Sequence, residues 1–579
     1  MPRRCLALLA ILALPGCLAT QPPASHAPAV PHRRVAAGHS GAVAAPEPLA
    51  ARVGADVLRR GGNAVDAAVA VQFALSVTYP LASPIGGGGF ALVWDPGAGR
   101  AFALDYREVA PAGATEGMFL GPDGEVVPGL SLYSHLSAGV PGTVRGTWEL
   151  HRRFGSMKWR ALLEPAIRLA EEGFPVDEWT VRSMSRQRKR LAVLPERLRR
   201  WIDFPEHFAL GPGRWFRQPE LGRTLRRIAE RGPAGFYEGP TATAIVREMR
   251  RGGGLITGED LRRYRAVWRE PVSGSYRGVT VHSMPPPSSG GVALLQMLGL
   301  FERFQLPERL STEHVHLVAE IAKRVFADRS RYIGDPGFYP VPVGALLDPD
   351  YLERRARSIR LDGRTDPGSV LPGEVAPEPV GGDTAHFSIV DATGMAVANT
   401  VTLNAAYGSG IVVDGAGFLL NDEMDDFSAK PGVPNLYGVT GGEANKIEPD
   451  KRMVSSMTPT IVTRNGRPWL VLGSPGGSTI FTTVFHVLTG RIDYGLSLPE
   501  AVEAPRFHHQ WPPPPGDEDP VYTEKGRPLP EGTLGGLRRL GYTVRERDSL
   551  GSVQAVEISP GGGVTAVADT RRNGAAAVP

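Results

Sequence analysis

The chain has 579 residues, a length that suits two or more ordinary domains or one large multi-layer domain. Its apolar content of 42% supports a hydrophobic core, and its formal net charge of +4 is too even to indicate a nucleic-acid-binding protein. Both cysteines, Cys5 and Cys17, lie close to the N-terminus. This position excludes a disulfide framework or a thiolate metal site in the body of the protein.

The N-terminus has the pattern of an export signal. Two arginines precede an apolar run over 5–14, which is too short to span a bilayer as a helix. The run ends in LPGC, which resembles a bacterial lipobox and implies cleavage before Cys17 and lipid attachment to its thiol. An ordinary secretory signal that happens to contain a cysteine is the alternative. We therefore expect a signal peptide over 1–16, a Pro/Ala-rich tether over 17–33, and export to the periplasm or cell envelope.

Two helices are predicted at the start of the body. Residues 47–59 have helical apolar spacing that ends at two glycines. Asn63 and Asp66 then resemble a capping box for a second helix, AVDAAVAVQFALSV. Because that helix is apolar on nearly every side, we expect it to be buried. The glycine cluster at 86–89 leads into a strand.

The middle of the chain is predicted to be mostly helical over 141–270. Segment 183–232 is rich in arginine, and we interpret it as a solvated helix face because acidic residues interleave it and no aromatic stacking platform accompanies it. Another helix is predicted over 312–333. Residues 363–383 are rich in Pro, Gly and acidic residues, which is typical of an exposed loop.

After Thr384 the pattern changes to alternating strands. HFSIVD and MAVANTVTL are predicted strands, joined by a three-residue hairpin loop that contains Gly394. If Asp391 faces Met395, this register places Thr384 across from Thr402, with both side chains on one face of the sheet. A bulge at the loop would shift the pairing by one residue.

The stretch GGDTAHFSIVD at 381–391 has two interpretations. Gly-Gly-Asp could be a turn, with a threonine that simply begins the strand. Alternatively, the chain is cut between Asp383 and Thr384, and the Thr384 hydroxyl then uses its own α-amine as a base. A free α-amine titrates near about pH 7.7–8.0, so part of it is neutral at about neutral pH. The Thr402 hydroxyl could hold such a nucleophile by a hydrogen bond.

A second candidate feature is LGSPGGST at 472–479, which follows a predicted strand over 468–472. The backbone N–H groups of Gly476 and Gly477 can point at one spot and stabilise the oxyanion of an acyl-transfer reaction. A phosphate-binding loop is the alternative, but this segment lacks the lysine of a P-loop.

A series of motifs resembles the γ-glutamyltransferases (γ-glutamyltranspeptidases), which are N-terminal-nucleophile hydrolases. The matching segments run in order from about residue 34 to the end: GGNAVDAAVA, GGGGF, DYREVAP, AGVPGT, MPPPSSGG, DTAHFSIVD, TLN, LLNDEMDDFSAKPGVPN, SSMTPTIV, GSPGGS and APRFHHQW. Such an ordered series is far more specific than any one of its motifs.

The resemblance implies an α+β fold, the four-layer αββα sandwich of N-terminal-nucleophile hydrolases, built from two chains after self-cleavage. The precursor would cut itself between Asp383 and Thr384 into a large chain, 34–383, and a small catalytic chain, 384–579. The implied catalytic residues are the nucleophile, its supporting hydroxyl and the oxyanion hole: Thr384, Thr402, Gly476 and Gly477.

The resemblance also assigns the γ-glutamyl head of the substrate. Its α-carboxylate would meet Arg107, Ser455 and Ser456, and its α-ammonium would meet Asn404, Glu423 and Asp426. A zwitterion needs a cationic, hydroxyl-rich clamp on one side and carboxylates on the other, and arginine can bind a carboxylate bidentately. Taken singly, Arg107 could be a surface ion pair, Asp426 a helix cap and the two serines a turn.

PGVPNLYGVTGG at 431–442 resembles the lid loop that some members of the family carry, in which Tyr437 would screen the pocket from water. A plain surface loop fits its Gly and Pro content equally well. His508 and His509 are adjacent, so in a strand they point to opposite faces and cannot chelate together. We interpret both histidines as structural.

The implied activity is transfer of the γ-glutamyl group from glutathione or a related peptide to water or to an amino-acid or peptide amine, through an ester on Thr384. No metal or organic cofactor is expected, no nucleic-acid partner, and no membrane contact beyond the N-terminal anchor. A cephalosporin or glutaryl acylase of the same fold is one alternative, which Asn404, Glu423 and Asp426 argue against. A non-catalytic exported lipoprotein is the other.

Overall fold

The computed structural model describes residues 33–374, 385–513 and 517–579. The predicted signal peptide, the tether up to residue 32, Cys17 and the expected cleavage bond between Asp383 and Thr384 lie outside the described residues. No helix within the three described ranges combines the length and the apolarity needed to cross a bilayer.

Most of the described helices lie between residues 143 and 357. They are α1 (Pro48–Arg59), α2 (Ala64–Thr78), α3 (Thr143–Phe154), α4 (Trp159–Glu172), α5 (Glu178–Ala192), α6 (Glu196–Arg199), α7 (Phe204–His207), α8 (Pro219–Arg231), α9 (Ala234–Tyr237), α10 (Gly239–Gly252), α11 (Gly258–Arg263), α12 (Ser289–Phe301), α13 (Thr312–Tyr332), α14 (Val343–Leu346), α15 (Pro349–Arg357), α16 (Ile480–Ile492), α17 (Leu498–Glu503) and α18 (Glu531–Arg539).

The described strands are β1 (Val35–Gly38), β2 (Gly41–Ala45), β3 (Gly88–Asp95), β4 (Arg100–Tyr106), β5 (Phe174–Pro175), β6 (Trp215–Phe216), β7 (Val267–Arg269), β8 (Val272–Tyr276), β9 (Val279–Ser283), β10 (Ala385–Asp391), β11 (Ala396–Thr402), β12 (Thr460–Arg464), β13 (Arg467–Gly473), β14 (Phe507–His509), β15 (Pro520–Glu524), β16 (Thr543–Arg547), β17 (Gln554–Ile558), β18 (Val564–Ala568) and β19 (Ala575–Ala577).

Two seven-stranded sheets form the centre of the molecule. Their strand orders are β1-β18-β17-β13-β12-β9-β8 and β19-β2-β10-β11-β3-β4-β7. All pairings within these two sheets are antiparallel. A smaller sheet of β14, β15 and β16 and a pair formed by β5 and β6 lie outside them.

The layers follow from the alternation of side chains along the strands. On β2 and β3, Ala44 and Leu92 belong to a core that includes Val471 of the opposite sheet. Their neighbours Val43 and Val93 instead pack with the residues of α1, α2 and α4. Helices α12, α13 and α16 cover the other sheet with a separate core. This arrangement is the expected four-layer αββα sandwich.

The first two helices begin where the sequence predicts. Glu47 caps α1, because its carboxylate accepts hydrogen bonds from the N–H groups of Leu49 and Ala50 at 2.9 Å each. Asn63 and Asp66 form the predicted capping box of α2, and every residue of α2 is buried. Apart from Asp66 in its first turn, α2 has no charged residue and is apolar on nearly every side, which places it in the interior of the helix layer.

The predicted hairpin is present, with the predicted register over the residues described. Ala385 pairs with Val401 and Val390 pairs with Ala396, and the Asp391 N–H donates to the Met395 carbonyl at 3.0 Å. No bulge interrupts these pairs. The partner that this register predicts for Thr402, Thr384, lies outside the described residues.

The helical prediction for 141–270 is confirmed by α3 to α11, with three short strands, β5, β6 and β7, among them. The prediction for 312–333 is confirmed by α13. Of the predicted loop over 363–383, the described part contains one short 3-10 helix, Pro367–Ser369. The two adjacent histidines contact different partners, as expected on a strand: His508 the Thr482 hydroxyl and His509 the Asp519 carboxylate.

Candidate active site

A buried cluster of charges surrounds Arg107, which directly follows β4. The side chain has no exposed surface, and its guanidinium forms ion pairs with Glu423 at 2.5 Å and Asp426 at 2.6 Å. It also donates to the Val454 carbonyl at 3.0 Å. The structure thus brings Arg107 together with two predicted site residues that follow it by more than 300 positions in the chain. They form one mixed cluster, whereas the sequence analysis placed the cation and the carboxylates on two sides.

The physical reason is the cost of burying an unpaired charge, which the mutual ion pairs offset. A third carboxylate, Glu108, lies 3.6 Å from the same guanidinium. Burial and the neighbouring carboxylates raise the pKa of Glu108 to about 8, although Arg107 opposes the rise. Burial likewise raises the pKa of Glu423 and of Asp426.

Of these three carboxylates, Glu423 and Asp426 belong to a 3-10 helix, Glu423–Asp426. The segment that precedes it is tied to the end of β11, because Asn404 Nδ2 donates to the Asp422 carbonyl at 2.9 Å. Asn404 itself has a left-handed backbone, with φ of 72°, and its N–H donates to the Thr402 hydroxyl at 2.7 Å. The Asn404 side-chain oxygen is buried without a hydrogen-bond partner among the described residues, so it is available to accept from a ligand.

Ser455 and Ser456 are buried beside a second cation that the sequence analysis did not single out. Arg329, on α13, donates to the Ser456 hydroxyl at 3.5 Å and to the Ser289 hydroxyl at 3.1 Å. Burial raises the pKa of Asp426, and the charge of Arg329 opposes this rise. Ser455 pairs with Ser288 at the start of α12 through an isolated β-bridge. The hydroxyl-rich side predicted for the site therefore has its own arginine.

The two glycines after β13 adopt backbone conformations that favour glycine. Gly476 has φ of 146° and Gly477 has φ of 64°. A Cβ on Gly476 would lie 2.4 Å from the Thr479 hydroxyl oxygen, which is closer than real Cβ contacts. Gly477 begins the short 3-10 helix Gly477–Thr479 that precedes α16. The glycine pair thus follows the predicted strand, and the start of α16, which was not predicted, comes shortly after it.

The segment over 431–442 lies against the site, which the plain surface-loop alternative does not require. The Tyr437 hydroxyl donates to the Asn404 carbonyl at 2.7 Å, and the Tyr437 N–H donates to the Asn435 side chain at 3.1 Å. Asn435 in turn donates to Asp426 at 3.0 Å. Asn435, which the sequence analysis missed, therefore links this segment to the charge cluster.

A cavity of about 680 Å³ lies beside these elements. Four predicted site residues line it, namely Asn404, Tyr437, Gly476 and Gly477. The other predicted site residues that the structure describes are not part of this lining: Arg107, Thr402, Glu423, Asp426, Ser455 and Ser456. Asp426 is linked to the lining through Asn435, which contacts Tyr437. Among the described residues, no group of three or more His, Cys, Asp or Glu side chains is arranged to hold a metal ion.

The arginine-rich segment differs in part from its interpretation as a solvated face. Several of its basic side chains are exposed, such as Arg182, which pairs with Glu178. Arg186 and Arg190, however, line the cavity together with Gln187. Composition alone could not separate these arginines from their neighbours, since only the packing of α5 decides which of them face the cavity.

Comparisons with known proteins agree with the geometry. A family model described as gamma-glutamyltranspeptidase matches residues 50–578. The glutathione hydrolase proenzyme of Pseudomonas aeruginosa is 48% identical over 539 residues, which cover 92% of this chain and 94% of that protein. The glutathione hydrolase proenzyme of Escherichia coli is 45% identical over 534 residues, covering 92% of this chain and 90% of that protein.

Among solved structures, the crystal structure of cephalosporin acylase from Bacillus halodurans is similar, with a TM-score of 0.82 and 29% sequence identity. The match covers 97% of this chain and 99% of that one. The shared fold therefore extends over nearly the whole of both chains. Since the family model covers most of the chain and the two hydrolases cover its body at high identity, this enzyme belongs to the γ-glutamyltranspeptidase family.

Proposed function

We propose that the protein is a glutathione hydrolase and γ-glutamyltransferase. The observation that carries this proposal is the buried cluster of one arginine and two carboxylates, Arg107, Glu423 and Asp426, beside the unpartnered oxygen of Asn404. Charges of both signs next to one cavity suit an amino-acid head, which is itself a zwitterion. The names of the Pseudomonas aeruginosa and Escherichia coli relatives support glutathione as the donor.

The head of the substrate binds by exchange of ion pairs. Its α-carboxylate takes the guanidinium of Arg107 and the hydroxyls of Ser455 and Ser456, while its α-ammonium takes Glu423, Asp426 and the Asn404 oxygen. Because the head adds one charge of each sign, the exchange leaves the net charge of the buried cluster unchanged. The carboxylate of a ligand that lacks the ammonium would take Arg107 away from Glu423 and Asp426. These two buried carboxylates would then have no cation, which is costly.

Catalysis begins with Thr384. Its Oγ attacks the γ-carbonyl carbon of the donor, and its α-amine accepts the hydroxyl proton. The N–H groups of Gly476 and Gly477 stabilise the oxyanion, the C–N bond breaks, and the leaving amine takes up a proton. Water or a second amine then attacks the γ-glutamyl ester and restores the Thr384 hydroxyl. The contact of the Thr402 hydroxyl with the Asn404 N–H supports a role for Thr402 beside this nucleophile.

The α-amine of Thr384 exists only after the bond to Asp383 is cut, so the chain is made as a precursor. It cuts itself into a large chain that ends at Asp383, with its folded body over 34–383, and a small chain, 384–579, and the two stay together. The word proenzyme in the names of the relatives supports this step. We also propose export by the signal peptide over 1–16 and lipid attachment at Cys17.

The test is release of the chromophore from γ-glutamyl-4-nitroanilide by the wild type and by Thr384→Ala. The wild type is expected to migrate as two chains and to release the chromophore, whereas Thr384→Ala stays one chain and releases none. Cleavage of the variant at the same bond would contradict self-processing by this hydroxyl. Absence of release by a cleaved wild type would contradict the substrate and favour an acylase, the activity named for the structural relative from Bacillus halodurans.

A further inference from the structure

The cavity has a part that the γ-glutamyl head does not use. We propose that a group of arginines at its wall forms an anion-binding subsite, which holds a carboxylate on the leaving group of the donor. The inference rests on the proposed function, and it concerns the portion of the donor beyond the bond that is broken. Donors whose leaving amine carries a carboxylate, such as peptides with a free C-terminus, are its substrate class.

One wall of the subsite is a face of α5. Ser183, Arg186, Gln187 and Arg190 all line the cavity. Their spacing of three, four and seven residues places them on one side of the helix. The facing wall comes from the end of the chain, where Arg547 and Arg572 line the same cavity. Four guanidinium groups from two distant segments therefore converge on one space, together with Gly476 and Gly477.

These four arginines differ from the other charged groups of the cavity in their pairing. None of Arg186, Arg190, Arg547 and Arg572 forms an ion pair with a carboxylate in the part of the chain that the structure describes. By contrast, Arg571 pairs with Glu524 at 2.5 Å and with Asp569 at 3.2 Å. Among the described residues that line the cavity, Asp548 is the only acidic one, and it pairs with Lys525 at 3.0 Å. The cavity therefore keeps a net positive charge.

A neutral side chain of the wall, Gln187, also offers a hydrogen-bond donor to the cavity. Gln187 is 4% exposed, and its Nε2 donor is buried without a hydrogen-bond partner among the described residues. A buried donor of this kind costs free energy unless a ligand satisfies it. Guanidinium groups carry hydrogen-bond donors and no acceptor, so the wall suits a ligand that accepts hydrogen bonds. A carboxylate is such a ligand, and its two oxygens match the paired donors of a guanidinium group.

Aromatic rings hold two of these guanidinium groups in place. Arg547 lies over the Tyr522 ring, 3.8 Å from its centroid, and Arg190 lies 5.5 Å from the centroid of Tyr133. Such contacts restrict a long side chain, which lowers the entropic cost of binding an anion. The arrangement therefore favours binding over a merely solvated surface charge.

The experiment compares two donors that differ by one carboxylate, γ-glutamyl-4-nitroanilide and γ-glutamyl-3-carboxy-4-nitroanilide. The measured quantity is the ratio of kcat/KM for the carboxylated donor to that for the neutral donor. Replacing two guanidinium groups with neutral amides in Arg190→Gln/Arg547→Gln is expected to lower this ratio about tenfold, since each charged contact with a partly desolvated anion is worth about a few-fold in affinity. A ratio equal to that of the wild type would overturn the subsite.

Arg182→Gln is the matched control, because Arg182 is on the same helix, does not line the cavity and pairs with Glu178. It loses one positive charge from α5 and should keep the wild-type ratio; a tenfold fall in it would show a general charge effect and overturn the assignment. Failure of the wild type to turn over the neutral donor would instead contradict the proposed function, so the two failures are distinguishable.

A second measurement needs no variant. Raising the salt concentration from about 0.01 M to about 1 M shortens the Debye length from roughly 30 Å to roughly 3 Å. The wild-type ratio should fall over this range, because the carboxylated donor alone gains from the positive cavity. A ratio that does not change with salt would contradict an electrostatic subsite.

Discussion

Asp426→Asn is the most direct test of how the enzyme recognises the α-ammonium of its donor. The substitution keeps the size of the side chain and leaves an oxygen that can accept the hydrogen bond from Asn435, which is 3.0 Å long in the wild type. It removes the negative charge of the Asp426 carboxylate, whose Oδ2 lies 2.6 Å from Arg107 Nη2. Of the two carboxylates offered to the ammonium, only Glu423 then remains.

The expected loss follows from this count. A hydrogen bond to a charged group contributes about 1.5–3 kcal/mol net, and because Glu423 still serves the ammonium we take about 2 kcal/mol. At about 1.4 kcal/mol for each factor of ten, kcat/KM for a γ-glutamyl donor falls about 30-fold. A glutaryl anilide, which has no ammonium, loses no such contact.

The assay therefore measures kcat/KM for γ-glutamyl-4-nitroanilide and glutaryl-4-nitroanilide with both enzymes, and their ratio should fall about 30-fold in the variant. Asp414→Asn is the control for charge, since Asp414 is an exposed carboxylate that pairs with Arg247 at 2.8 Å. An equal fall for both donors would refute the reasoning, because it would show that Asp426 supports the fold and not the ammonium.

Two further changes test other parts of the site, and a third tests the stability of the fold. Gly476→Ala places a Cβ 2.4 Å from the Thr479 hydroxyl in a backbone with φ of 146°, so kcat should fall about 100-fold as the oxyanion donor moves, whereas Gly344→Ala, which meets no atom within 4 Å, should leave kcat unchanged. Tyr437→Phe removes the 2.7 Å hydrogen bond to the Asn404 carbonyl, worth about 1 kcal/mol, and should raise KM about fivefold and the hydrolysed share of product, as measured by chromatography. In Glu47, burial raises the pKa from 4.5 to about 7, so the folded state holds the proton more tightly than the unfolded state and wild-type stability declines as pH rises between these values. Relative to Glu47→Gln, the wild type should lose about 3 kcal/mol between about pH 4 and about pH 8 in urea unfolding, and parallel curves would contradict the shift.

Local patterns in the sequence were sufficient to predict several elements of the fold. The capping box of Asn63 and Asp66, the uniform apolarity of α2 and the hairpin loop at Gly394 each depend on residues that are neighbours in the chain. Local geometry decides whether such a helix start or hairpin forms, and the periodicity of apolar residues decides which faces are buried. The four-layer arrangement entered only through the resemblance to a family, and the order of the strands in the two sheets was not predicted.

The sequence named the candidate site residues but not their arrangement. Motif order named Arg107, Glu423 and Asp426, but not that they would pair with one another, because that pairing depends on the cost of burial in the folded interior. Arg329 carried no signal at all, since an arginine on a predicted helix is exposed far more often than it is buried. Its contact with Ser456 needs the packing of α13 against the end of the sheet.

The interleaving of the strands sets an order of events in the life of the molecule. In one sheet β10 and β11, which follow the proposed cut, lie between β2 and β3, which precede it; in the other sheet β1 and β9 flank strands of the later part. Neither product of the cut could build either sheet from its own strands. Folding must therefore finish while the chain is still continuous, and a mature enzyme that unfolds would have to recover through a bimolecular encounter of two incomplete pieces. The two pieces are covalently connected only during the first folding of the chain. The lifetime of the mature enzyme is therefore set by how slowly it unfolds.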